Sequence, residues 1–337
     1  MFMQAAAASA RYTPRMKDVQ FAILGAGAMG TIVGAHLARA GHSVLMLVRE
    51  RRARQIQADG LRLKGLVDFS IPVPTITHPA DLEGADVFIL TTKAIDTAAA
   101  LAPYRHAQIG TAFSLQNGVM KNELLADAFK EAHLLGALAN FSGELLPSGE
   151  VVFTRNINLT IGELDGTLGP RAQNLANTID ASGLRSTAAV NIRSNEWSKF
   201  AAWIALAALA VSTRSLTWKF LLEPSTALLI VRLIREIGTL AAACGVQLTD
   251  DSMFPVATMN RSTEAAAVDI VRGYGNDYRT SSPAHRMSTL QDLDAGRALE
   301  LDETFGFAVR KAADLELRLP LLESFAAVAR VVDPAAR

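Results

Sequence analysis

The sequence predicts two unlike halves, an α/β half built on an open, mostly parallel sheet and then an all-α half. Three observations predict it. A short apolar run, Val19 to Leu24, ends in the glycine-rich turn Gly25-Ala26-Gly27-Ala28-Met29-Gly30 and is followed by a helix-period pattern and a second apolar run. Strand-like runs then alternate with helical stretches as far as Ala189. Beyond that point the apolar residues keep helical spacing.

The first elements form a strand–turn–helix–strand unit. Ile32, Ala35, Leu37 and Ala38 line one helix face, Gly41 caps its end, and Ser43 to Val48 supplies the next strand. In that context the turn is a dinucleotide-binding fingerprint. Gly25 serves the tight bend, Gly27 close approach of a pyrophosphate, and Gly30 close packing of helix on strand. The helix start then offers free N–H groups to phosphate. A glycine turn without a ligand is the bland alternative.

Further strands are expected at Asp86 to Thr92, Ala112 to Gln116 and Leu134 to Ala137, with Val151 to Thr154 and Leu159 to Ile161 as an added antiparallel pair. Pro170 to Ser182 predicts a helix ending at Gly183, with Ser182 in a capping role. The second half predicts helices at Glu196 to Val211, Thr226 to Ala243 and Thr263 to Gly273, and two more across Ala284 to Leu315. The domains are therefore read as 18–192, a doubly wound Rossmann unit, and 193–337, all-α, with 1–17 as a disordered extension.

Composition narrows the function classes. The 337 residues carry 33 basic and 33 acidic side chains, a balance that argues against a nucleic-acid partner. The longest uncharged apolar run, Phe200 to Val211, falls short of the roughly 20 residues that a membrane span needs. The single cysteine, Cys244, cannot form an internal disulfide, which points to a cytoplasmic protein. The six histidines show no metal-ligand spacing, so no metal is expected.

Cofactor choice is read at the tip of the second strand. An acid there would bind the ribose of NAD; this chain has Arg49, followed by Arg51 and Arg52. Three guanidinium groups can hold a 2′-phosphate, so NADP(H) is the expected cofactor. The competing reading is a solvated basic helix start. In the second half Lys199 precedes a segment that is apolar all round. From the residues alone it is either drawn into a cleft, where desolvation tunes it for proton donation, or a lysine snorkelling to water. Arg279 and Arg286 beside Ser281 and Ser282 could attract a carboxylate, although a solvated loop is the simpler account.

Together these residues resemble the ketopantoate reductase family across about Val19 to Leu322. The resemblance rests on the glycine turn, Thr92-Lys93-Ala94, Gln116-Asn117-Gly118-Val119, Glu196-Trp197-Ser198-Lys199-Phe200 and Ser288-Thr289-Leu290-Gln291-Asp292, in that order. It implies a helical domain like that of 6-phosphogluconate dehydrogenase and NADPH-dependent reduction of a small 2-keto acid. It also implies residue roles. Lys199 would be the proton donor and Glu300 an active-site carboxylate. Asn117 would lie beside the nicotinamide, Arg49 and Lys93 would belong to the NADP site, and Ser288 would contact substrate. Glu300 is expected near a helix start.

One departure bears on the substrate. The family carries substrate-binding asparagines four and eight residues after the lysine; Trp203 and Ala207 stand there in this chain. Loss of two amide contacts suggests a bulkier or less polar acid than ketopantoate. A related hydroxyacid dehydrogenase and a non-catalytic NADP sensor stay open as alternatives. Long apolar helices in the second half could support a homodimer.

Overall fold

The structure, a computed structural model, describes residues 20–95 and 97–336. The stretch 1–17, expected to be an extension, lies outside them. The chain opens with β1 (Phe21–Leu24), α1 (Ala28–Arg39), β2 (Val44–Leu47) and α2 (Glu50–Asp59). Then come β3 (Leu61–Gly65), β4 (Phe69–Ile71), β5 (Thr75–Ile76), β6 (Gly84–Leu90), α3 (Thr97–Leu101), β7 (Gln108–Ser114) and α4 (Met120–Phe129). β8 (Leu135–Leu145), β9 (Val151–Glu163), α5 (Pro170–Ala181) and β10 (Ser186–Ala188) complete the α/β half. The helical half holds α6 (Ile192–Thr213), α7 (Thr217–Leu222), α8 (Pro224–Ala243), α9 (Val256–Arg261), α10 (Glu264–Ser281), α11 (Ser288–Asp294), α12 (Phe305–Asp314) and α13 (Pro320–Val332).

The first sheet has the order β5-β2-β1-β6-β7, with every pairing parallel. Strands β1 and β2 are buried along their whole length, which is why they read as continuous apolar runs rather than alternating ones. The order reverses direction at β1, so the glycine turn after β1 opens at the topological switch point.

A second sheet had no counterpart in the sequence reading. It runs β10-β9-β3-β4, with β8 on the other side of β9. The expected antiparallel pair, 151–154 with 159–161, is instead one continuous strand, β9, and its antiparallel partner is β8. The polar interruption Asn156-Ile157-Asn158 stays extended because its amides find partners. Asn156 Nδ2 donates to the Gly183 carbonyl at 3.1 Å, and Asn158 Nδ2 donates to Thr187 Oγ1 at 2.8 Å. Leu61-Arg62-Leu63-Lys64-Gly65, set between β9 and β4, alternates apolar and charged residues, but five residues carry little periodic signal.

Three helical expectations shift. The helix expected to stop at Gly273 continues to Ser281, because at Gly275 α10 packs against α7 so closely that a Cβ would sit 3.0 Å from Leu221 and Leu222. The helix placed from Glu196 begins a turn earlier, at Ile192. Glu300 lies not at a helix start but in the connection from α11 to α12, which begins at Phe305. Helix α6 is buried almost all round and forms the spine of the helical core, against α8 and α13.

Candidate active site

The glycine turn is built as the fingerprint requires. Gly25 has φ +101°, a left-handed conformation that glycine adopts without strain. At Gly30 a Cβ would lie 2.1 Å from the Gly25 carbonyl, so only glycine lets α1 start there. At Gly27 a Cβ would meet nothing within 4 Å, so that side of the turn is open. No side chain caps the start of α1, where Ala28, Met29 and Gly30 present their N–H groups. Open space beside uncapped N–H groups fits a pyrophosphate.

Two side chains that the sequence reading left without such a role lock this turn. Thr91, after β6, donates its hydroxyl toward the carbonyls of Gly25 at 2.8 Å and Leu24 at 3.0 Å. Arg52 Nε donates to the Ala26 carbonyl at 2.9 Å, and its two terminal nitrogens reach Gly149 O at 2.8 Å and Thr31 Oγ1 at 3.0 Å. This corrects the picture of three arginines around a 2′-phosphate: Arg52 is committed to the scaffold. Arg49 is the N-cap residue of α2, just past the carboxyl end of β2, and its side chain is exposed, as is that of Arg51.

The other predicted residues fall into two groups. Asn117 follows β7, and Lys199 and Trp203 lie one turn apart on α6; all three line one cavity with Leu138, Glu196 and Phe200. Gln116, also on its wall, ties β7 to the Lys93 loop by donating to the Lys93 carbonyl at 3.0 Å and to Thr97 Oγ1 at 2.8 Å. Ala207 does not reach this cavity. It is wholly buried in the helical core, two turns beyond Lys199.

The second group joins the halves at the Thr92-Lys93-Ala94 loop. Glu300 accepts a hydrogen bond from the backbone N–H of Ala94, and Lys93 Nζ pairs with Asp292 of α11 at 2.8 Å. Burial raises the Glu300 pKa above the usual carboxylate range, against the pull of the Ala94 N–H. Ser288 stands exposed at the start of α11. Arg279 and Arg286 form no carboxylate trap between them, each being held locally, by Asn276 and by Asp294.

Lys199 is drawn inward rather than snorkelling. Its Nζ donates to the Ala139 carbonyl at 2.6 Å, on β8 of the α/β half. Burial, then the positive charges of Lys121 and Arg155, bring its pKa down from 10.5 to about 7, against the opposing pull of Glu196. Neither Lys121 nor Arg155 was singled out in the sequence, since each acts only through a partner distant along the chain. An inward-facing amine of lowered pKa on a cavity lined by Asn117, Phe200 and Trp203, in a fold that also carries an open glycine turn, fits an oxidoreductase that reduces a carbonyl or oxidises an alcohol.

Comparison with known proteins agrees. Residues 21–166 match the family Ketopantoate reductase PanE/ApbA, and residues 191–333 match Ketopantoate reductase PanE/ApbA C terminal. The chain belongs to the ketopantoate reductase family, and it is an oxidoreductase. It is 28% identical over 300 residues to a 2-dehydropantoate 2-reductase of Archaeoglobus fulgidus, covering 89% of this chain and 92% of that protein. A Mycobacterium tuberculosis protein of the same name is 30% identical over 304 residues, covering 89% and 93%. Among solved structures, a PanE/ApbA family ketopantoate reductase from Ralstonia eutropha has a TM-score of 0.79 at 26% identity, covering 94% of this chain and 99% of that one. D-mandelate dehydrogenase, solved with NADH and anilino(oxo)acetate, shares the fold with a TM-score of 0.79 at 18% identity, over 94% and 99% of the two chains. No helix among the described residues is long and apolar enough to cross a membrane.

Proposed function

We propose that this chain reduces a 2-keto acid to the 2-hydroxy acid with NADPH, Lys199 giving the proton. The observation that carries the reading is the Lys199 amine, partly buried on a cavity shared with Asn117, with a pKa of about 7. NADPH supplies the hydride when bound. The glycine turn and the α1 start would hold its pyrophosphate, Arg49 and Arg51 its 2′-phosphate, and Asn117 would face its nicotinamide end.

The chain's own residues then handle the substrate. As the carbonyl carbon gains hydride, negative charge grows on its oxygen. The Lys199 ammonium stabilises that charge and passes its proton to the oxygen. With Lys121 neutralised by Glu196, Arg155 and the Lys199 ammonium are the positive charges that favour an anionic substrate. Glu300, fixed to the Ala94 N–H, would act from the helical side, and Ser288 at the start of α11 would contact the acid. Trp203 and Phe200 on the wall favour a less polar side chain than that of ketopantoate. The single Cys244 suits a reducing cytoplasm. The exposed Val328 and Val331 of α13 support a homodimer.

The test follows NADPH consumption with a panel of 2-keto acids that includes ketopantoate. Turnover of at least one acid is expected, lost in Lys199→Ala by about 100-fold or more while NADPH still binds. Tight NADPH binding with no acid reduced would replace this reading with the NADP-sensor alternative.

A further inference from the structure

A buried ion pair lies on the same cavity. Lys121 Nζ of α4 stands 3.1 Å from Glu196 Oε1 of α6, with the two side chains only 5% and 3% exposed. Both charges are saturated with hydrogen bonds. The Lys121 ammonium also donates to the carbonyls of Ala137 at 2.5 Å and Ser114 at 3.2 Å. Glu196 Oε1 accepts from the Ala137 N–H at 3.0 Å, and Oε2 accepts from Asn122 Nδ2 at 2.7 Å. Desolvating two charges is costly, and apolar residues of the same volume commonly serve stability as well or better. The pair needs another reason to exist.

Its position supplies one. Glu196 precedes Lys199 by one helical turn, so both side chains project from one face of α6. Lys121 donates to the carbonyl of Ala137 and Lys199 to that of Ala139, alternate residues of β8. Alternate carbonyls of a strand point the same way, so the two carbonyls that accept these ammonium groups share one edge of β8, roughly 6–7 Å apart. Lys121, Glu196 and Lys199 all line the cavity that Asn117 enters.

We propose that Lys121 and Glu196 are positioning residues of the reaction, a charge pair spanning the two halves that presents one positive and one negative neighbour to the Lys199 amine and governs how firmly it keeps its proton. The charged groups acting on that amine are Lys121 from α4 and Arg155 from β9, which oppose its proton, and Glu196 on its own helix, which favours it. With the pair intact, its two members act on that amine in opposite directions. Removing either member leaves the other uncompensated beside the donor.

The proposal rests on Lys199 being the proton donor, and the experiment separates the two ideas. The pH dependence of kcat/KM for reduction is measured for the wild type, Lys121→Met, Glu196→Gln and the double variant. Loss of Lys121 is expected to move the falling limb about one unit to higher pH, and loss of Glu196 about one unit to lower pH. The double variant returns it near the wild-type position, and Lys121→Arg leaves it there. Lys121→Gln, which keeps amide donors for the two carbonyls, gives the same upward move should the methionine variant fail to fold. Rates that drop while both limbs stay at the wild-type pH, or that shift in the same direction, overturn the proposal. An active Lys199→Ala would instead remove the donor assignment beneath it.

Discussion

Arg52 and Ala26 are joined by a 2.9 Å hydrogen bond from guanidinium to carbonyl, which ties the start of α2 to the glycine turn after β1. The same side chain bonds Thr31 and the Gly149 carbonyl, so it braces α1 and the β8–β9 connection as well. Its neighbours Arg49 and Arg51 project outward. Neighbouring arginines thus divide between bracing the glycine turn and facing outward, where the proposed function has them meet the cofactor phosphate.

That division is measurable. Arg52→Ala is expected to cost about 2 kcal/mol in denaturant unfolding, through carbonyls left unpaired, and to weaken NADPH and NADH alike. Arg49→Ala should leave stability within about 0.5 kcal/mol and weaken NADPH roughly tenfold or more, with NADH unchanged. Equal losses for both cofactors in Arg49→Ala would remove it from the phosphate site.

The pH profile follows from Lys199. In the proposed mechanism reduction needs the ammonium, so kcat/KM for the keto acid should fall about tenfold per unit above the pKa of this amine, about 7. Oxidation of the hydroxy acid needs the free amine and should rise over the same range. Profiles flat from slightly acid to alkaline pH in both directions would exclude Lys199 as the titrating donor.

The same shift has a stability signature. The Lys199 pKa is about 7 in the folded chain against an ordinary 10.5, so the unfolded chain binds more protons between those values. The folded state is therefore penalised in full below pH 7, and the penalty fades as pH rises toward 10.5. Lys199→Met should abolish turnover yet raise unfolding stability at neutral pH by about 1–3 kcal/mol, the gain shrinking in alkali. A variant less stable than wild type at neutral pH would contradict the desolvation account.

Trp203 is the specificity test. Trp203→Asn restores an amide one turn beyond Lys199, and kcat/KM for ketopantoate relative to an apolar 2-keto acid should rise about tenfold or more. No change in that ratio would place the selectivity elsewhere on the cavity wall.

The glycine turn, the parallel strands and the helix bearing Lys199 were legible because each is a local pattern whose meaning is fixed by its immediate flanks. Thr91, Arg52, Lys121 and Arg155 were not, for one shared reason. Thr91 meets Gly25, Arg52 meets Gly149, and Lys121 meets Glu196, all contacts set by packing between segments far apart in the chain. Glu196 stood inside a recognised block without a visible task, since its partner lies on another helix. The second sheet is hard to read from sequence because β3 and β4 are only five and three residues long, and because the asparagines inside β9 imitate a turn. Ala207 shows the opposite failing: helical spacing puts it in line with Lys199 and Trp203, but the cavity ends before it.

The Lys121–Glu196 contact has a consequence for how such enzymes can be recombined. One member belongs to the α/β half and the other to the helical half, and both are buried where the halves meet. A chimera that takes these halves from two different relatives would seal a lone charge into the seam unless both parents carry matching members. Residues 121 and 196 therefore have to be inherited together, whatever the crossover point between them.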